Sequence, residues 1–158
     1  MEVREGLKAI DTLEIVHIGK DGRVKSREVT GIPEDTVTRV GKAQAAGLLN
    51  GVVTTPFTYL AIGTGTTASA DTDTALQAEI TTGGGARAAA TCTRVTTTVT
   101  NDTAQLYKEW TFTASFAVTE CGAFDAASAG NMLFRQVFAV KNVESADKLQ
   151  LTAKIQQT

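Results

Sequence analysis

Most of the residues that carry protein chemistry are scarce in this sequence. Of 158 residues, one is histidine, His17, and two are cysteines, Cys92 and Cys121. Two cysteines cannot build a disulfide framework. The N-terminus, MEVREGLKAID, lacks the apolar core of a secretion signal. Free buried thiols are therefore expected, with a bridge left open should the two strands be neighbours. A metal centre needs clustered ligands, and His17, Cys92 and Cys121 stand far apart, each in a β-type run. Basic residues number 15 against 17 acidic ones, a net charge of -2. That balance offers no concentrated basic surface for nucleic acid or an anionic membrane. Aromatic residues make up 6% and are not interleaved with a basic patch, so no stacking platform for single strands is expected. No apolar run approaches the roughly 20 residues that cross a bilayer.

What is present suits one domain with a sizeable core: 42% hydrophobic and 20% charged residues. Threonine and valine are abundant and favour strands. Leu7 to Ile18 is apolar and β-branched, Asp21-Gly22 turns the chain, and the charged run Arg23 to Val29 continues it. This is a hairpin signal, and the charged arm is expected at a sheet edge or against a partner. We read residues 1–30 as an N-terminal hairpin arm and 31–158 as the β-domain. Pro33, Glu34 and Asp35 open a helical pattern that Asn50-Gly51 closes, which predicts one long helix over about residues 34–49. Gly41 and Gly47 inside it imply close packing.

Phe57 to Ile62 reads as a buried strand and Ala86 to Val99 as another. From Leu106 to Val118 apolar and polar residues alternate, which predicts one half-buried strand. Short strands follow at Thr119 to Phe124, at Met132 to Val140, which is apolar on both faces and expected to be central, and at Leu149 to Ile155. Their meander-like spacing gives the expected fold: mainly β, an antiparallel β-sandwich or jelly-roll-like domain with one long α-helix and an extended N-terminal hairpin arm.

One stretch asks for chemistry. FTYLAIG runs into Gly63-Thr-Gly65-Thr-Thr, and Leu76 and Ile80 follow at helical spacing. Strand, glycine turn and helix is the order of a phosphate loop. A Walker loop, however, needs a lysine after the second glycine, and the next basic residue is Arg87. Asp71, Asp73 and Glu79 would repel a phosphate, and they lack the spacing of a calcium loop. The favoured reading is a tight corner in which glycine adopts angles closed to other residues, followed by a short helix capped by Thr72 or Asp73. Glu120, an acid between apolar neighbours in TECGAFDAA, is expected to be buried and paired with Arg135 or Arg87, as a structural ion pair rather than a general acid. His17 reads as a packed or edge residue. No catalytic, cofactor-binding or metal-binding residue is assigned, and no enzyme activity and no cofactor is expected.

The segments YLAIGTGTTASADTDTALQAEI, GARAAATCTRV, NDTAQLYKEWTFTASFAVTECGAFDAASAGNMLFRQVFAV and SADKLQLTAKI, in that order, resemble tailed-bacteriophage virion structural proteins. The helical stretch TRVGKAQAAGLLNG and the hairpin KDGRVKSREV share the likeness, which spans about residues 10–156. The resemblance implies a small β-rich part of the particle, made in the bacterial cytoplasm and located in the virion. It implies a capsid decoration (cement) protein bound to the major capsid protein lattice, or alternatively a tail-fibre, baseplate or other tail accessory. A homo-oligomer is expected, with a trimer favoured by capsid three-fold positions, and neither nucleic acid nor membrane as partner. Cys121 departs from the aliphatic or alanine expected in the T-E-x-G segment.

Overall fold

A computed structural model describes residues 10–157. Among these residues the chain forms nine strands: β1 (Ile10–Ile18), β2 (Val24–Gly31), β3 (Tyr59–Gly63), β4 (Ala88–Ala89), β5 (Thr91–Val95), β6 (Thr103–Thr111), β7 (Phe116–Phe124), β8 (Met132–Val143) and β9 (Lys148–Gln156). One helix, α1 (Arg39–Asn50), joins them. The protein is mainly β, with two antiparallel sheets of strand order β2-β1-β9-β6-β5 and β4-β3-β7-β8.

The alternation of each strand decides what it buries. Leu13, Ile15, Leu106, Trp110, Leu149 and Leu151 of the first sheet share one buried cluster with residues of the second sheet, such as Leu60, Ile62, Val118 and Phe134. The other face of the second sheet carries a smaller cluster of Ala61, Leu76, Phe124 and Met132. Leu76 comes from the long segment between β3 and β4. Residues 64–80 therefore lie as a strap across the outside of the four-stranded sheet. This is why β7 is buried almost throughout.

The hairpin turns where expected, with Gly22 at φ 80°, and β2 takes the sheet edge. It is not an arm apart, however. β1 pairs with β2 on one side and with β9 on the other, and Leu13 and Ile15 are wholly buried. Residues 1–9 of the expected arm lie outside the described residues.

The helix is shorter than its periodicity suggests. Glu34–Thr36 makes only a 3-10 turn. The chain then extends so that Val37 bridges Phe134 and the Thr38 N–H donates to Leu133 O. Thr38 caps the helix by accepting from the Gly41 N–H, and Gly51 ends it at φ 77°. Strand-like pairing with β8 thus wins residues 37–38 from the helix. Gly41 does pack closely: a Cβ there would stand 2.6 Å from Leu133 O.

Other expectations change with the topology. The alternating run 106–118 is two strands in different sheets. β6 turns at residues 112–115 and crosses to become β7, and period-two alternation survives the crossing because both halves face the same core. The last strands are no meander, since β6 pairs with β9 and β7 with β8. β8 is an edge strand rather than a central one. Its second apolar face is covered by Leu76 and the start of α1 instead of by another strand. The run 86–99 breaks at Ala90, where the chain passes from β4 in one sheet to β5 in the other. No helix follows Thr72. Leu76 and Ile80 are buried because the strap runs back along β3, with Glu79 bridging Gly63 and the Ile80 N–H donating to Ile62 O.

Candidate functional site

The strap and the strand beneath it form the most organised polar site among the described residues. Its centre is Glu120 on β7, with no exposed surface. Glu120 Oε1 accepts from the N–H groups of Gly65 (3.0 Å) and Ala78 (2.7 Å). Glu120 Oε2 accepts from the Gln77 N–H (3.0 Å) and from Arg135 Nε (2.6 Å). Arg135, on β8 and also buried, reaches onward to Asp73 Oδ2 (3.1 Å) and to the carbonyls of Thr67 and Ala68. Burial alone would push the Glu120 carboxyl up. The Ala78 N–H, the Arg135 guanidinium and the Gln77 N–H outweigh it and hold the group below the usual range.

This arrangement resolves the question posed by the glycine turn. The loop does cradle an anion with backbone N–H groups, and the anion is the chain's own carboxylate. Neither Gly63 nor Gly65 has a positive φ, so the reason expected for them is not the operative one. A Cβ on either would stand 2.5 Å from Glu120 Oε1. Glycine is there so that the backbone can close on the carboxylate.

The acids that weighed against phosphate are each bound to an arginine. Asp71 meets Arg39 at 2.9 Å and Asp73 meets Arg135. Glu79 takes Arg87 through two bonds, of 2.9 and 2.7 Å. Arg87 also lies 3.5 Å over the Phe124 ring and donates to the carbonyls of Ala126 and Ala129. Of the two partners expected for Glu120, the first is therefore correct, and Arg87 fastens the strap's other end.

His17 is buried in the first sheet, with Nε2 2.8 Å from Asp147 Oδ2. Lys25 Nζ and the N–H groups of Lys20 and Glu144 also donate to Asp147. Burial opposes the Asp147 charge, and these donors more than restore it, so the carboxyl sits far below its ordinary value. Sequence reasoning overlooked Asp147 because it sits in a turn cluster that reads as solvent-exposed. Both cysteines are free, Cys121 buried and Cys92 exposed, the latter against expectation. Cys92 lies on a strand exposed on both faces. Burial, then the Glu120 charge, pushes the Cys121 thiol far up.

His17, Glu120 and the thiols do not converge. Among the described residues no three histidine, cysteine or acidic side chains group as metal ligands. A four-donor shell fills the lone-pair sites of Glu120. Its carboxylate is thus spent on holding the strap and has no site left to take a proton from a bound molecule. A shallow hollow of about 480 Å³ lies elsewhere, between Glu34, Asp35, Lys42 and Asp71.

A family model described as "Podophage GP4 fiber I protein gp80" matches residues 38–157. The matched span runs from the cap of α1 to the end of β9 and contains the strap, Glu120 and Arg135. No curated protein and no solved structure matches the chain.

Proposed function

Since the chain belongs to the podophage GP4 fiber I protein gp80 family, we propose that it is a non-enzymatic virion protein of a tailed phage that serves as a tail-fibre or tail-accessory component. The family match carries this reading. The use of Glu120, Glu79 and Asp147 as internal fasteners supports it, because the polar groups a reaction would need are committed to the fold. The two sheets act as the halves of a rigid sandwich, and the surface of that sandwich, strap included, is the working part. Its partners are other virion proteins, and it works as a homo-oligomer, for which a trimer is the first expectation. Repeated weak contacts then add through multivalency.

Capsid decoration is the second reading, favoured by the β-rich fold. Copy number separates the two. Quantitative mass spectrometry of purified virions, with labelling by an antibody to this chain, should find a handful of copies at the tail. Hundreds of copies over the head would overturn the fibre reading in favour of decoration. Absence from the particle would overturn both.

A further inference from the structure

The two outer strands of the five-stranded sheet, β2 and β5, have no strand beyond them among the described residues. β5 (Thr-Cys-Thr-Arg-Val) is exposed on both faces from Thr91 to Arg94, which leaves an open edge. Val29 on β2 is 60% exposed. Four successive antiparallel pairings separate β2 from β5, so the two edges run in the same direction. A neighbouring copy in the same orientation brings β2 beside β5 in parallel.

We propose that the five-stranded sheet continues from one copy of this chain to the next, β5 of each copy pairing in parallel with β2 of its neighbour. This rests on the reading of the protein as a part of a repeated assembly, and the two fail separately in the experiment below. Charge selects the register. Cross-strand partners place Arg94 and Cys92 on the inner face with Leu106 and Leu13, and Thr91, Thr93 and Val95 on the outer face with Tyr107 and Glu14. On β2, Glu28 and Ser26 are inner while Val29 and Arg27 are outer; Lys25 falls at the irregularity between Ser26 and Val24, and its Nζ donates to Asp147.

Setting Cys92–Val95 beside residues 26–29 of the neighbour keeps every face. It puts Arg94 beside the neighbour's Glu28 and Val95 beside its Val29, while Arg27 meets Thr93. Glu28 holds its own Lys141 through Oε2 at 2.6 Å, which leaves Oε1 for Arg94. Shifting by two residues either way loses both pairs. Two β2 edges meeting face for face set Arg27 or Glu28 against itself in the registers centred on those residues, the usual protection of an edge; the register centred on Val29 escapes this and is checked by the Val29→Cys single variant below. Within one copy Val29 shares a row with Thr91. The register therefore advances each copy by the four residues from Thr91 to Val95, about 13 Å. A closed ring absorbs that advance as strand tilt, and an open array keeps it as a rise.

The test is a cysteine pair. In a Cys92→Ser background, Val29→Cys with Val95→Cys should give, on mild oxidation, disulfide-linked species at multiples of the 16.6 kDa chain. Either single substitution should give none. Light scattering should find the unmodified protein as an oligomer, and Arg94→Glu should reduce it to a monomer that still melts cooperatively. A monomeric unmodified protein, no link in the double variant, or a link in either single variant (Val95→Cys, β5 against β5; Val29→Cys, β2 against β2) would each overturn the pairing. Oligomers that link as expected in a protein absent from virions would overturn the functional reading and leave the pairing standing.

Discussion

Removing the carboxylate under the strap is the sharpest test of the site. Glu120 and Arg135 have 0% and 2% of their side chains exposed, so Glu120→Ala leaves a buried guanidinium with only Asp73 and two carbonyls. Breaking a buried ion pair costs about 3–5 kcal/mol. Three backbone N–H groups also lose their acceptor, at about 1–3 kcal/mol each if left dry. The vacated space admits water that re-satisfies part of this, so a total of about 4–6 kcal/mol is expected. At roughly 2–4 °C per kcal/mol for a domain of this size, the melting temperature should fall by about 10–20 °C. Glu120→Gln keeps the volume and one acceptor and should lose about half as much. Hydrogen exchange at Gly65, Gln77 and Ala78 should accelerate ahead of the core strands. The pH dependence has a fixed sign: the folded carboxyl is depressed, so its contribution is complete above the ordinary value of 4.5 and drains away as pH falls through the folded value. The stabilities of the parent and Glu120→Ala should therefore converge in acid. A melting temperature within about 3 °C of the parent, or unchanged exchange at those three amides, would refute the account.

Three further outcomes follow from the core and its edges. Trp110→Ala empties a nearly fully buried site and orphans Ala86 O, which accepts from Trp110 Nε1 at 2.8 Å; a loss of about 3–5 kcal/mol in urea denaturation is expected. Deleting residues 1–31 removes Leu13 and Ile15 from the core and strips β9 of one neighbour, so the remainder should give no cooperative melt; a folded fragment would show that the hairpin is dispensable. Burial pushes the Asp11 carboxyl up to about 6, and its Oδ1 is buried with no hydrogen-bond partner among the described residues. A raised acid is least costly below its ordinary value of 3.8, and its cost builds as pH rises to about 6. Asp11→Asn should thus stabilise by about 1–3 kcal/mol at pH 7 and by nothing near pH 3.5, and a gain that ignores pH would refute this.

The parts of the fold that were legible are those in which one segment decides its own shape. Asp21-Gly22 sets a hairpin whatever surrounds it, and Gly51 stops a helix. The alternation of β9 marks a strand with one wet face. What failed depends on partners distant in sequence. Residues 37–38 look helical until β8 offers Leu133 O and Phe134. Leu76 and Ile80 mimic a helical face because a strap returning along β3 buries a residue at similar intervals. The run 106–118 hides a sheet crossing because period two reports which side faces the core, not which sheet supplies it. Of the site, Glu120 and Arg135 were readable as an acid and a base stranded among apolar neighbours. The donors that Glu120 gathers from residues 65, 77 and 78 were not, since backbone N–H groups leave no mark in a sequence.

The distribution of ionic groups bears on how the strap is held. Residues 64–80 bring only Leu76 and Ile80 to the buried clusters, too little apolar area to hold a segment of that length. Arginine supplies the rest, Arg135 at one end and Arg87 at the other, each as a planar fork with fixed directions. A buried pair of this kind adds little net stability compared with apolar packing, but it tolerates few alternative geometries. Exchanging Glu120 and Arg135 together for leucine and methionine should therefore recover much of the stability lost in Glu120→Ala, while amide exchange in residues 65–78 stays fast. Recovery of both would mean that packing alone positions the strap. Recovery of stability without order would mean that the ion pair is retained for the shape of the surface it presents.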